Sequence, residues 1–180
     1  DDPVAGSLPH VAGAPGDPIT VGELLSHTSG LPSDDQAGAL FGAALGLGAD
    51  PVPLTSEADL RRHVRGSLDR RVTDRETFFY YNTGYTLLAL LVEEHAGQPF
   101  AEYVEEHVLE PAGMPRATFD ADAFEAVDDR MTPYLEGEDG LEPASFPFSR
   151  HTRGAGGLLA SVRDLANAVR LFIGHGAVDG

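Results

Sequence analysis

The stretch Phe78-Phe79-Tyr80-Tyr81-Asn82-Thr83-Gly84-Tyr85 limits what this chain can become, because four consecutive aromatic rings and a carboxamide stand directly ahead of an apolar run, Thr86 to Val92. Such a run belongs in a core. A buried helix from about Gly84 to Ala96 is therefore expected, ending at Gly97, where glycine adopts a left-handed cap without strain. Ahead of that helix, period-two alternation sends Tyr80 and Asn82 to one side of the chain and Tyr81 to the other. A phenol and an amide held together at the mouth of a buried helix can address the same external atom. The pattern equally suits an ordinary turn in which Asn82 satisfies free N–H groups at the helix start.

The flanking chain supplies the remaining elements. Asp1 to Asp17 is rich in Pro and Gly and is expected as irregular surface chain. Thr20 with Glu23 forms a capping box; Leu24 and Leu25 then turn inward, and Gly30 and Pro32 stop the helix. His27 lies in this short helix. A ligand or general base is conceivable there, but a lone His beside Thr28 and Ser29 is expected to bond locally and fix a turn. Ala37 to Gly48 is small, apolar and uncharged, with four glycines, and is expected either as a flap beside the site or as a poorly ordered insertion.

From Ser56 a second helix is expected, with Leu60, Val64 and Leu68 buried and Arg61, Arg62 and Arg65 facing out. The basic cluster from Arg61 to Arg75 is expected to be a solvated counterpart of an acidic surface. Pro99 opens a further helix that turns Phe100, Tyr103, Val104 and Val108 to the core. Asp120 to Ser149, containing Thr132-Pro133-Tyr134, is expected as a long excursion. Ser161 with Asp164 caps a last helix, whose Leu165, Ala168, Val169 and Phe172 form one stripe before Gly174 ends it.

Charge excludes some functions. The formal net charge of −17 comes from 29 acidic residues against 12 basic ones, all arginine, and opposes nucleic acid or an anionic membrane surface as partner. Spread over many segments, that acidity suits a solvated surface and, with no lysine, a salt-adapted or high-GC source. The chain has no cysteine, hence no disulfide or thiol chemistry. No apolar stretch reaches the ~18 residues of a membrane span. The histidines lack the spacing of a metal motif, and nothing points to a cofactor or a metal.

Two further motifs make the case specific. Leu24-Leu25-Ser26-His27-Thr28-Ser29-Gly30-Leu31-Pro32, followed by Tyr80-x-Asn82-Thr83-Gly84-Tyr85 and a Leu-rich helix, resembles the serine β-lactamase and penicillin-binding-protein-like family. Its closest branch is the class C β-lactamases with their esterase and D-aminopeptidase relatives. Asp1-Asp2-Pro3-Val4 to Pro9 is similar to the segment after that family's nucleophile helix, and Gly154-Ala155-Gly156-Gly157-Leu158 to Leu165 resembles its late Gly-Gly-Leu and Asp-Leu signature. The resemblance runs in order along nearly all 180 residues.

The resemblance implies an α+β fold, of which these residues form one partial domain: the mostly helical portion, without the nucleophile segment and the C-terminal sheet strands. It also implies a serine hydrolase that opens an amide, β-lactam or ester through an acyl-enzyme, a small-molecule or peptide substrate, and an extracellular or cell-envelope setting. Tyr80 matches the family's proton-transfer tyrosine and Asn82 its substrate-orienting asparagine; Tyr81 is expected to pack. Gly156 and Gly157 are expected to let backbone approach the site. The family's Ser-x-x-Lys and Lys-Thr-Gly motifs are absent, and the chain contains no lysine. An internal stretch of an enzyme is the resulting expectation. A non-catalytic binding or regulatory relative of the same fold is the alternative, and oligomeric state is left open.

Overall fold

The computed structural model describes residues 2–32, 57–69, 71–137, 140–144, 150 and 153–177. The expected flap over 37–48 lies outside them. In chain order come α1 (Val21–Leu25), α2 (Glu57–Ser67), α3 (Asn82–Ala96), α4 (Phe100–Val104) continuing into a π-helical turn (Glu105–Leu109), α5 (Ala121–Glu125), an antiparallel hairpin of β1 (Tyr134–Gly137) and β2 (Gly140–Pro143), and α6 (Val162–Ile173). Helix dominates and the described strands are two, as expected for the helical part of an α+β fold.

Helix α3 is the central element. Its inward side chains Leu87 and Leu91 meet Leu24 of α1 and the Leu60, Val64, Leu68 stripe of α2 in one core, which also takes Tyr81. Gly97 caps α3 at φ +70° and donates its N–H to the Glu93 carbonyl. The opening segment departs from expectation. Asp2 to Asp17 contains two 3₁₀ turns, Val4–Gly6 and Pro9–Val11, that bury Val4, Leu8 and Val11 in the same core. Three apolar side chains at spacings of four and three suffice to turn a Pro/Gly-rich segment inward once α2 and α3 offer a surface. Hydrogen bonds from Val4 N–H to Ile19 (2.9 Å) and from Val21 N–H to Asp2 (3.1 Å) hold it against the start of α1.

A second, smaller core gathers Ala101, Leu109, Ala112, Met114, Ala117 and Phe119, with Ala168 and Leu171 of α6 packed on it. Val108 was expected here, yet it is exposed while Leu109 is buried. The π-helical turn explains the exchange: one extra residue per turn advances the buried face by one position. The α6 stripe divides as well. Ala168 turns inward, whereas Val162, Leu165, Val169, Phe172 and Ile173 are exposed. Within the expected excursion, Asp120 caps α5 by accepting the Ala123 N–H at 2.7 Å, and the hairpin pairs Tyr134 with Pro143 through Gly137 with Gly140.

The basic cluster is only partly solvated. Arg61, Arg62 and Arg65 lie on the exposed face of α2. Arg71, however, donates to the carbonyls of Pro15 (2.8 Å) and Asp17 (2.6 Å) and also to that of Ser29, while Arg75 bonds Glu23 and pairs with Asp17 at 3.0 Å. A guanidinium fork matches several fixed carbonyls at once, so these two arginines join the 71–75 loop to the entry of α1. Among the described residues no helix is long and apolar enough to cross a membrane.

Candidate functional site

The site is built where the end of α1 meets the start of α3. Thr20 accepts the Glu23 N–H at 3.3 Å, and the Glu23 carboxylate accepts the Thr20 N–H at 2.9 Å, so the expected capping box closes. Burial pushes the Glu23 carboxyl up, but hydrogen bonds from Arg75 and Thr20 outweigh it and hold the group below its ordinary range. The helix is shorter than expected. It ends at Leu25, which is exposed, because inward packing is already supplied by Leu24.

His27 consequently lies beyond α1, in left-handed backbone at φ 56°. Its N–H stays local, donating to the Leu24 carbonyl at 3.4 Å, but its side-chain partners are distant, which corrects the expectation of a local side-chain bond. The His27 carbonyl accepts the Phe79 N–H at 2.8 Å, and its Nδ1 accepts the Tyr81 N–H at 3.2 Å. The imidazole also meets three rings: Tyr80 at 4.4 Å between centroids, Tyr85 at 5.0 Å and Phe78 edge-on at 5.6 Å. The Tyr85 hydroxyl in turn donates to the Leu25 carbonyl at 2.9 Å. Nothing in the local sequence announces this pairing. The only signal is a lone His ahead of Thr-Ser-Gly and an aromatic run fifty residues later.

Alternation separates the paired tyrosines. Tyr80 is 54% exposed, and Tyr81 is 1% exposed with its hydroxyl 3.0 Å from Ser67 Oγ. Gly84 makes room for that buried ring, since a Cβ there would stand 3.0 Å from Tyr81 Cδ1. The helix starts two residues earlier than expected, at Asn82. Asn82 is thus its first helical residue, half-buried, and the cap position belongs to Tyr81, whose side chain makes no capping bond. The period-two alternation runs out at Tyr81, and the first helical turn sets the direction of Asn82.

Glycine acts at a different place from the one expected. Gly154 takes the close approach: a Cβ there would lie 2.4 Å from the Tyr85 carbonyl oxygen and 2.6 Å from Ala89 Cβ. Gly157 is needed for φ +88°, and a Cβ on Gly156 would meet nothing within 4 Å. The 153–157 loop therefore presses on α3 one turn after the Tyr80–Asn82 segment, before Ser161 and Asp164 close the capping box of α6. The Arg71 guanidinium is occupied by main-chain carbonyls. Among the described residues no three His, Asp or Glu side chains converge as metal ligands.

The model of the family described as Beta-lactamase matches residues 1–179. A Bacillus subtilis (strain 168) protein named as a penicillin-binding protein, PbpX, is 30% identical over 145 residues, covering 74% of this chain and 32% of its own. The D-alanyl-D-alanine-carboxypeptidase/endopeptidase AmpH of Escherichia coli (strain K12) is 23% identical over 176 residues, covering 96% of this chain and 42% of its own. Among solved structures, the octameric penicillin-binding protein homologue from Pyrococcus abyssi superposes with a TM-score of 0.88 at 34% identity, covering 98% of this chain and 40% of that one. The chain thus spans about a third to two fifths of the length of these relatives.

Proposed function

Because the chain belongs to the beta-lactamase family, we propose that it forms the helical part of a serine hydrolase that opens an amide, β-lactam or ester carbonyl through an acyl-enzyme. The observation that carries this reading is the division of labour at the start of α3. One tyrosine of an adjacent pair is sealed in the core on Ser67, while the other is held at the surface against His27, two residues before the helix begins at Asn82.

In this reading the nucleophilic serine belongs to a Ser-x-x-Lys motif, which no serine of this lysine-free chain can begin. Tyr80 takes the serine's proton as the Ser Oγ–carbonyl carbon bond forms, and returns it to the leaving group. A phenol must give up its own proton to do this, and a neighbouring ammonium favours the charged form. Asn82 donates from its side chain to the substrate carbonyl and accepts from the lysine ammonium. Water then releases the acyl group. AmpH, whose name gives D-alanyl-D-alanine peptides as substrate, supports an amide of that class as one substrate among lactams and esters.

The test uses a form of the protein that carries the Ser-x-x-Lys segment. Tyr80→Phe should lower turnover of a nitrophenyl ester or chromogenic cephalosporin by about 10²- to 10⁴-fold at unchanged melting temperature, whereas Tyr81→Phe should keep its rate. Full activity in Tyr80→Phe, or loss in Tyr81→Phe alone, would overturn the assignment. The alternative reading is a non-catalytic binding or regulatory relative of the same fold. The purified 180-residue chain should accordingly remain unlabelled by a fluorescent penicillin; stoichiometric labelling would contradict both readings of the missing motif.

A further inference from the structure

We propose that His27 is the positioning residue for the Tyr80 phenol: from one strained backbone position it fixes the main chain on both sides of Tyr80 and supplies the surface on which the Tyr80 ring rests. The inference rests on the reading of Tyr80 given above and adds a residue that the family motif at Tyr80 and Asn82 does not contain.

Three observations converge. First, the two backbone bonds bracket the target. The His27 carbonyl takes the N–H of Phe79 and its Nδ1 takes that of Tyr81, so the residues immediately before and after Tyr80 are tied to the same side chain and peptide. Second, among the described residues the Tyr80 hydroxyl has no hydrogen-bond partner, and the one ring it contacts is His27, tilted by 32° at 4.4 Å. More than half of Tyr80 is exposed, so no surrounding core can orient it instead. Third, His27 holds φ 56°, a region costly to a residue with a Cβ and kept only where its surroundings compensate. The compensation is visible in Tyr85, whose ring meets the imidazole and whose hydroxyl is anchored on Leu25.

The same geometry argues that His27 is not the base. Nδ1 accepts a main-chain N–H, which leaves the ring proton on Nε2 in the neutral form and commits the basic lone pair to structure. Its part is to orient Tyr80, and a small misplacement of a catalytic group is costly to rate while leaving substrate binding nearly untouched.

His27→Asn is the informative variant. An amide side chain tolerates positive φ and retains an oxygen that can accept the Tyr81 N–H, but it removes the ring. The protein is labelled with 3-fluorotyrosine, and the Tyr80 fluorine resonance is identified by its loss in Tyr80→Phe. In His27→Asn that resonance should move more than halfway to its denatured position, with the melting temperature nearly unchanged. In a form carrying Ser-x-x-Lys, kcat should fall by roughly tenfold to a hundredfold with KM within about twofold. In the unsubstituted protein, nuclear Overhauser contacts should link the His27 and Tyr80 ring protons, a measurement that stands even if the variant fails to fold. An unmoved fluorine resonance, an unchanged kcat, or no contact between the rings would each overturn the proposal. Failure of the Tyr80 assignment gives a different result: Tyr80→Phe stays active while His27→Asn still shifts the fluorine resonance.

Discussion

At Gly30 the backbone sits at φ +71°, and a Cβ there would stand 2.6 Å from the Thr73 carbonyl oxygen. The dihedral strains any residue with a Cβ, and the space does not admit one. Gly30→Ala should therefore cost more than the ~1–2 kcal/mol of a left-handed alanine, read as a lower urea midpoint, because the clash is with main chain and the Val72 N–H to Gly30 carbonyl bond (2.8 Å) resists the shift. A midpoint equal to that of the unsubstituted chain would show that the loop relaxes freely. Tyr81→Phe tests the opposite kind of residue. It removes the hydroxyl bonded to Ser67 inside the core and should cost about 0.5–1.5 kcal/mol, with no effect on rate. The two tyrosines thus predict opposite signatures, stability without rate for Tyr81 and rate without stability for Tyr80.

Among the elements, α1 and α6 both begin with a closed capping box whose carboxylate is drawn below its ordinary titration range. In Asp164, burial pushes the carboxyl up, and hydrogen bonds from Ser161 and from the Arg116 N–H more than offset it. A carboxyl whose pKa is lower in the folded than in the unfolded chain contributes stability above the unfolded value and loses it as pH falls through the folded one. Glu23→Gln and Asp164→Asn should each be less stable than the parent at pH 7, by roughly 1–2 kcal/mol. The difference should narrow as pH falls below the ordinary carboxylate values near 4 and close only below the folded values, which lie lower. Urea melts across that range check this; a deficit that does not narrow in acid would mean that charge plays no part in the boxes. The outer face of α6 behaves differently. Phe172 is 81% exposed, so Phe172→Ser should change the stability of this chain by less than about 0.5 kcal/mol, whereas Leu171, packed on the second core, should not tolerate Ser.

For the whole molecule the dominant long-range term is charge. With a net −17 on 180 residues, like charges crowd the surface, and salt screens them within a Debye length of ~3 Å at 1 M. Thermal midpoints should rise from low to molar sodium chloride. A flat or falling midpoint would show that the ion pairs, half-buried Arg75 with Glu23 and exposed Arg116 with Asp129, outweigh the general repulsion. Packing at this scale is divided between two clusters. The larger one surrounds α3, and the smaller one joins α4, the loops after it and α6. The candidate site sits on the first, at the meeting of α1 and α3.

The sequence by itself determined what depends on short-range order. Spacing-four leucines and valine defined the buried face of α2, Thr-x-x-Glu and Ser-x-x-Asp defined two helix starts, Gly97 defined an end, and the aromatic run before Thr86 marked where α3 enters the core. Alternation also separated Tyr80 from Tyr81, since it needs only two consecutive extended residues. Tertiary structure decided what depends on partners far along the chain. Arg71 and Arg75 became structural because carbonyls from 15–29 converge on them, and Val4, Leu8 and Val11 turned inward because α2 and α3 offered apolar surface. The π-helical turn exchanged Val108 for Leu109, and Gly154 rather than Gly156 met α3. His27 is the clearest case: the partners of its side chain lie more than fifty residues away, so no local pattern could assign them, and the free energy that holds its strained backbone exists only once α1 and α3 have come together.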